Sequence, residues 1–210
     1  MSATRSLLAV VAFALAPACG GGGGGGSGTV IIETDPVDDT VADGQALGDA
    51  RADQSLDELI GNDYLVQIGL TATILASIND GAVAEADIAA QIVDGPDVFA
   101  FANDEIIDHE DANVELDAVL RFYGVGYFPS DTADDIAASA SANVAAIRNS
   151  GDPDFTYIES QVITHASAQV LLDQLYDVVG PGELGNYILD MRTMTGVHLS
   201  DSTNILSTFY

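Results

Sequence analysis

The chain contains three histidines, and helical spacing predicts that His109, His165 and His198 are all buried. Each one interrupts a row of apolar residues that repeat three and four positions apart, the pattern of helices packed in a bundle. Each is followed four residues later by an amide or a hydroxyl side chain; these are Asn113, Gln169 and Ser202. Because imidazole is a good ligand for zinc, copper and iron, three converging histidines could bind one metal ion.

The polar positions are also predicted to lie at one height. Asn79 comes 16 residues before Gly95 and His109 comes 14 residues after it, so a helical hairpin turning there brings the two side by side. Around Pro181 the same relation holds for His165 and His198, since a helix rises about 1.5 Å per residue. We therefore expect a polar layer across the middle of a helical bundle.

The layer has three interpretations. Buried imidazoles need hydrogen-bond partners. The histidines could therefore be neutral and belong to a hydrogen-bonded layer that fixes the register of the helices. Their partners in this layer would be Asn79, Asn113, Gln169 and Ser202. Alternatively, the histidines could bind zinc, copper or iron, although no cofactor is expected over any one of these metals, or they could fail to meet. Glu105 and Asp201 lie close to histidines in sequence. They could flank a metal site or accept hydrogen bonds from its ligands, or they could be solvated. A di-iron carboxylate site is disfavoured, because it needs glutamate three residues before histidine on two helices.

The pattern predicts an all-α fold built from four long helices. The first covers residues 63–93, the second ends at Tyr123, the third covers 152–180 and the fourth runs from 183 to the C-terminus. Gly124 and Gly126 end the second helix, and a crossover of nearly thirty residues follows, with a short alanine-rich helix near residues 136–147. This order is that of a four-helix bundle with a long connection between its second and third helices.

Composition excludes several function classes. The chain has no lysine, five arginines and 33 acidic residues, giving a net charge of −28, which disfavours nucleic-acid binding. Without lysine there is neither a Schiff base nor a phosphate-binding loop of the lysine type. The glycines at 180, 182 and 185 follow a predicted helix rather than a strand, so they indicate a turn and not a dinucleotide site. No hydrolase motif is present, and we lean against an enzyme.

The N-terminal part predicts export and a lipid anchor. Residues 1–18 combine Arg5 with a short apolar run and read as a signal peptide. Cys19 is the candidate lipidated residue, and the alternative is an idle cysteine near an ordinary signal-peptidase site. Residues 19–60, which are glycine-rich and then acidic, are expected to form a solvated tether, with a β-prone stretch at 29–32. The folded domain is expected to cover residues 61–210. A single cysteine excludes an internal disulfide.

Several short motifs, taken in order, resemble an uncharacterised bacterial outer membrane protein family known as domain of unknown function 4142. They are Ile78-Asn79-Asp80, Asp97-Val98, Phe101-Ala102, Asp108-His109, Phe155, Tyr157-Ile158, Gln161-Val162, His165 and His198-Leu199, within residues 64–210. The resemblance implies a ferritin-like bundle, export to the envelope and histidines equivalent to the three found here. Many members carry an acidic residue where this chain has Ala82, a departure that weakens a ferritin-like redox function.

Two functions follow as hypotheses. The first is a lipid-anchored protein of the bacterial envelope, on the outer membrane and facing the periplasm or the surface, with a binding or envelope-maintenance role. The alternative is a metal-binding protein, in storage or stress defence, that uses the three histidines. The anchor makes the membrane the expected partner, and no protein partner is indicated.

Overall fold

The computed structural model describes residues 35–210, and within that range the chain forms six α-helices, one 3₁₀ turn and no strand. The predicted signal peptide, Cys19, the glycine run and the β-prone stretch at 29–32 lie outside the described residues. The helices are α1 (Pro36–Leu59), α2 (Tyr64–Ile92), α3 (Pro96–Tyr123), α4 (Asp131–Asn149), α5 (Pro153–Val179) and α6 (Glu183–Leu206), followed by the turn Ser207–Phe209. The all-α prediction is confirmed.

Local sequence sets where these helices begin and end. Ser130 and Asp152 cap α4 and α5 by accepting hydrogen bonds from the backbone N–H groups of Ala133 and Phe155. Proline occupies the first turn of α1, α3 and α5, where its missing N–H costs nothing. Gly124 ends α3 in the left-handed conformation, with φ of 69°. The bounds of the four long helices therefore agree with the expected ones to within a few residues.

The helices form a bundle with two apolar clusters. Helix α2 packs on α3 and α5 on α6, and further contacts join α3 to α6 and α2 to α5. One apolar cluster contains Ile68, Leu116, Leu172 and Ile188, and the other contains Ala86, Phe101 and Ile158. Between them lie the polar positions 79, 105, 109, 165 and 198, all buried. The bundle thus has a polar layer between two apolar ends, as the sequence predicts.

Residues 36–59 correct the sequence analysis. The expected solvated tether is instead α1, which packs along α5. Its buried face includes Gly44 and Gly48, where a Cβ would lie 2.6 Å from the carbonyl oxygen of Ile163 and 2.7 Å from that of Ser167. Such a close approach needs glycine, so the middle of the face lacks the large apolar residues by which a packed helix is recognised, and Val37 and Leu59 are buried only at its ends. The described fold therefore includes residues 36–59, which the sequence-based prediction placed outside the folded domain.

A buried arginine helps to hold α1 in place. The guanidinium of Arg51 donates to the hydroxyl of Ser167 in α5 at 3.1 Å and to that of Ser139 in α4 at 2.8 Å. Burial lowers the pKa of Arg51, although Asp135 and Glu85 act in the opposite direction.

None of the helices between residues 35 and 210 is both long and apolar enough to span a membrane.

Candidate metal centre

Four buried side chains from three helices meet in the polar layer. Glu105 and His109 come from α3, His165 from α5 and His198 from α6. One ligand atom from each lies within 4.8 Å of every other. Glu105 is central: its carboxylate oxygens lie 3.2 Å from His109 Nε2, 3.3 Å from His165 Nε2 and 2.9 Å from His198 Nδ1. The three histidines that the sequence singles out therefore converge, and they do so on a carboxylate.

Each histidine has its second nitrogen held by a hydrogen-bond acceptor. His109 Nδ1 lies 2.9 Å from Asn79 Oδ1, and His165 Nδ1 lies 2.9 Å from the backbone oxygen of Gln161. His198 Nε2 lies 2.9 Å from Asp108 Oδ2. Because a carbonyl and a carboxylate only accept, these three nitrogens carry the protons. In neutral rings, the nitrogens that face Glu105 then carry lone pairs.

A chain of amides fixes the proton of His109 from the surface inward. Asp80, an exposed carboxylate, accepts a hydrogen bond from Asn113 Nδ2 at 2.7 Å. Asn113 Oδ1 is thereby left to accept from Asn79 Nδ2 at 3.0 Å, and Asn79 Oδ1 is left to accept from His109. Asn79 Nδ2 also donates to the hydroxyl of Tyr187 at 3.0 Å. Since the first acceptor is a carboxylate, the direction of every later bond is determined.

The four central groups lie close enough to share either a metal ion or a proton. Both oxygens of Glu105, His109 Nε2 and His198 Nδ1 are buried and make no hydrogen bond, despite their short separations. Tetrahedral zinc has bonds of about 2.0–2.1 Å, which places neighbouring ligand atoms about 3.3 Å apart. The 3.2 Å from Glu105 Oε2 to His109 Nε2 and the 3.3 Å from Oε1 to His165 Nε2 are close to that value, whereas His198 Nδ1 lies nearer to Oε1, at 2.9 Å. Lone pairs facing a carboxylate repel it unless a proton or a metal ion lies between them.

The electrostatics of the cluster favour a positive charge in its centre. Burial by itself would raise the pKa of Glu105, but His165 and the other two histidines outweigh burial and hold that pKa well below its ordinary value. Burial lowers the pKa of His109 in spite of Glu105. Burial would also lower the pKa of His198, but Glu105 and Asp108 together raise it above the ordinary value. The cluster therefore contains a carboxylate anion and attracts either a proton or a cation.

The other residues of the predicted layer have different roles. Of the four amide and hydroxyl residues, Asn79 is hydrogen-bonded to His109, and Asn113 is connected to His109 only through its bond to Asn79. Gln169 donates to Thr195 and to the backbone of Arg192, and Ser202 donates to a carbonyl of its own helix. Of these four residues only Asn79 bonds a histidine directly, because the side chains of Gln169 and Ser202 point to different neighbours.

The two carboxylates named from sequence also differ. Glu105 is not a flanking group but is the centre of the cluster, with no exposed surface. Asp201 is exposed and is not one of the four converging groups. One turn of helix separates Glu105 from His109, so both can face the same point, whereas Asp201 is rotated away from the buried face of α6.

Several residues beside the cluster were not predicted from the sequence. Asp108 holds His198, and a second buried carboxylate, Glu85 on α2, accepts from Asn143, Ser160 and Gln161 at 3.0 Å each. Burial raises the pKa of Glu85 to about 7, against the lowering effect of its donors. Asp108 directly precedes His109 in sequence, but its side chain points toward His198 of α6. Spacing within one helix does not reveal such a contact between two helices.

Comparison with models of known protein families, with curated proteins and with solved structures finds no match to this chain.

Proposed function

We propose that this protein binds one divalent transition-metal ion through Glu105, His109, His165 and His198. The observation that carries the proposal is the direction of the lone pairs: one nitrogen of each histidine is occupied as a hydrogen-bond donor, and the other faces a common carboxylate. A metal ion at that point would replace repulsion by four bonds. Hydrogen-bonded outer partners of this kind are typical of histidine metal sites.

The donor set defines the class of metal. Three imidazole nitrogens and one carboxylate suit zinc, copper or iron, whereas calcium prefers oxygen ligands alone. Four protein ligands fill the tetrahedral shell of zinc, and closed shells are typical of structural zinc sites rather than catalytic ones. Metal storage or stress defence therefore fits the site better than catalysis does.

We further propose that the bundle is ferritin-like and that the protein is anchored in the bacterial envelope. In support, α2, α3, α5 and α6 surround the polar layer, and α4 lies on the connection between α3 and α5. The anchor at Cys19 rests on the apolar run that precedes it, and membership of the outer membrane family rests on the ordered motifs. An envelope-maintenance role without metal is the remaining alternative.

The test is elemental analysis of the full chain with Cys19→Ser, a change that prevents lipidation. The protein would be measured as purified and after titration with zinc, copper and iron. We expect about one metal ion per chain, because four ligands form one site. His109→Ala, His165→Ala, His198→Ala and Glu105→Gln should each lose it, and Gln169→Ala, which contacts no histidine, should retain it. Absence of bound metal from the parent protein under all conditions would overturn the proposal.

A further inference from the structure

An open cleft lies beside the cluster, between α3 and α6. Its volume is about 410 Å³, and His198 forms part of its wall. Four exposed carboxylates line it, those of Asp108, Asp111, Glu115 and Asp190, and neither lysine nor arginine does. The cleft is therefore strongly negative on the side where it meets the buried histidine.

This cleft differs from the other clefts described between residues 35 and 210. Four others of similar volume lie elsewhere on the bundle, and none of the four metal-ligand residues lines any of them. One of these, lined by Asp80, Val114 and Asp117, is separated from His109 by the hydrogen-bonded amides of Asn79 and Asn113. A cation in that second cleft would have to break the amide chain to reach the cluster.

Asp108 and His198 stand between the cleft and the buried carboxylate. The side chain of Asp108 is 48% exposed, and its Oδ2 lies 2.9 Å from His198 Nε2. His198 Nδ1 lies 2.9 Å from Glu105, on the buried side of the ring. His109 and His165 are at most 2% exposed, so His198 is the ligand that is reached from solvent through this cleft.

We infer that divalent metal ions reach the cluster through this cleft, and that Asp108 and His198 together form the gate. The inference rests on the proposed function. Carboxylates that line a cleft concentrate cations and accelerate their association, by about 10-fold to 1,000-fold in measured systems, and salt weakens the effect. In this scheme His198 turns aside with Asp108, the cation passes, and His198 closes over it as the last ligand.

A matched pair of substitutions tests the route by its kinetics. Val197 is 54% exposed and lines the acidic cleft, whereas Val114 is 66% exposed and lines the second cleft. Zinc association and release would be followed by stopped-flow mixing with a fluorescent zinc chelator, on the full chain with Cys19→Ser. We expect Val197→Trp to slow both rates equally, roughly tenfold, with an unchanged dissociation constant, because an obstruction on a route raises one shared barrier. Val114→Trp should leave both rates unchanged.

Charge provides a second, independent comparison. The triple change Asp111→Asn, Glu115→Gln, Asp190→Asn removes three carboxylates from the cleft. The triple change Asp49→Asn, Asp53→Asn, Asp57→Asn removes three exposed carboxylates from α1, which does not line the cleft. At low ionic strength we expect the cleft triple to associate with zinc about tenfold more slowly than the parent protein, a difference that shrinks with added salt. The α1 triple should associate at nearly the parent rate.

The outcomes separate the two proposals. If zinc binds but Val197→Trp and the cleft triple retain the parent rates, or their controls slow equally, the route through the cleft is wrong and the metal site stands. If Val197→Trp changes the dissociation constant while the association rate is unchanged, the cleft is likewise not the route. If the parent protein binds no metal at equilibrium, both proposals fail.

Discussion

Replacing Asn79 by leucine tests whether the amide chain prepares His109 for a metal. Asn79 is fully buried, accepts from His109 at 2.9 Å and donates to Asn113 and to Tyr187 at 3.0 Å each. Leucine is similar in size but has no acceptor. His109 would then be free to place its proton on Nε2, the nitrogen that faces Glu105, and its Nδ1 would lose its only bond.

The expected magnitudes follow from those lost contacts. Losing an outer hydrogen-bond partner of a metal-binding histidine typically reduces metal affinity about 10-fold to 100-fold, equivalent to about 1.4–2.7 kcal/mol. In the metal-free protein, a buried imidazole nitrogen without a hydrogen-bond partner costs about 1–3 kcal/mol of the free energy of unfolding. In a chain of this size, each kcal/mol lowers Tm by about 2–4 °C.

The assay combines equilibrium competition with a zinc chelator and thermal denaturation with and without zinc. The control is Gln169→Leu, the same amide-to-leucine change in the same layer. Gln169 bonds Thr195 and the backbone of Arg192 rather than a histidine, so its loss should lower Tm but not zinc affinity. Asn79→Leu should also show a smaller rise in Tm on adding zinc, because stabilisation by a ligand falls as its dissociation constant rises. Retention of the parent dissociation constant by Asn79→Leu, or an equal loss in the control, would refute the reasoning.

Two further predictions concern stability. Burial raises the pKa of Glu85 from 4.5 to about 7, so its stabilising contribution is complete below about pH 4.5 and is lost as the pH rises through 7. Urea unfolding of Glu85→Gln should therefore show a free energy of unfolding that falls less steeply across this range, by up to about 1.4 kcal/mol per pH unit, and parallel curves would contradict this. Gly44→Ala and Gly48→Ala should each lower the free energy of unfolding by about 1–3 kcal/mol, measured by thermal circular dichroism, because a Cβ there meets the backbone of α5 at 2.6–2.7 Å. Gly196→Ala is the control, since its Cβ would meet only Gln169 at an ordinary 3.6 Å, and equal losses at all three positions would contradict the close packing of α1.

Much of the bundle could be predicted because its signals are local. The bounds of the long helices follow from proline at their starts and glycine after their ends. The polar layer follows from helical rise, because residues equally distant from a turn lie at equal heights. The convergence of His109, His165 and His198 required the structure, which excludes only the interpretation in which the three histidines fail to meet.

Helix α1 shows why the remainder could not be predicted. A helix that packs through Gly44 and Gly48 buries backbone and small side chains, so neither hydrophobic periodicity nor helix propensity marks it. Its stability depends on α5, a helix more than a hundred residues away in sequence, which supplies the complementary surface. The acidic character of residues 36–59 describes only the exposed face of α1.

The sequence by itself determined the helices that follow α1, their order and the height of three histidines in the bundle, since these depend on residues within a few turns of one another. Only the tertiary structure decided that Glu105 is the centre of the cluster, that Asp108 holds His198 and that Asp80 orients His109 through two amides. The physical reason is that each of these contacts depends on the rotation and separation of different helices, which no single helix encodes. The chemistry of the layer is thus a property of the packed bundle.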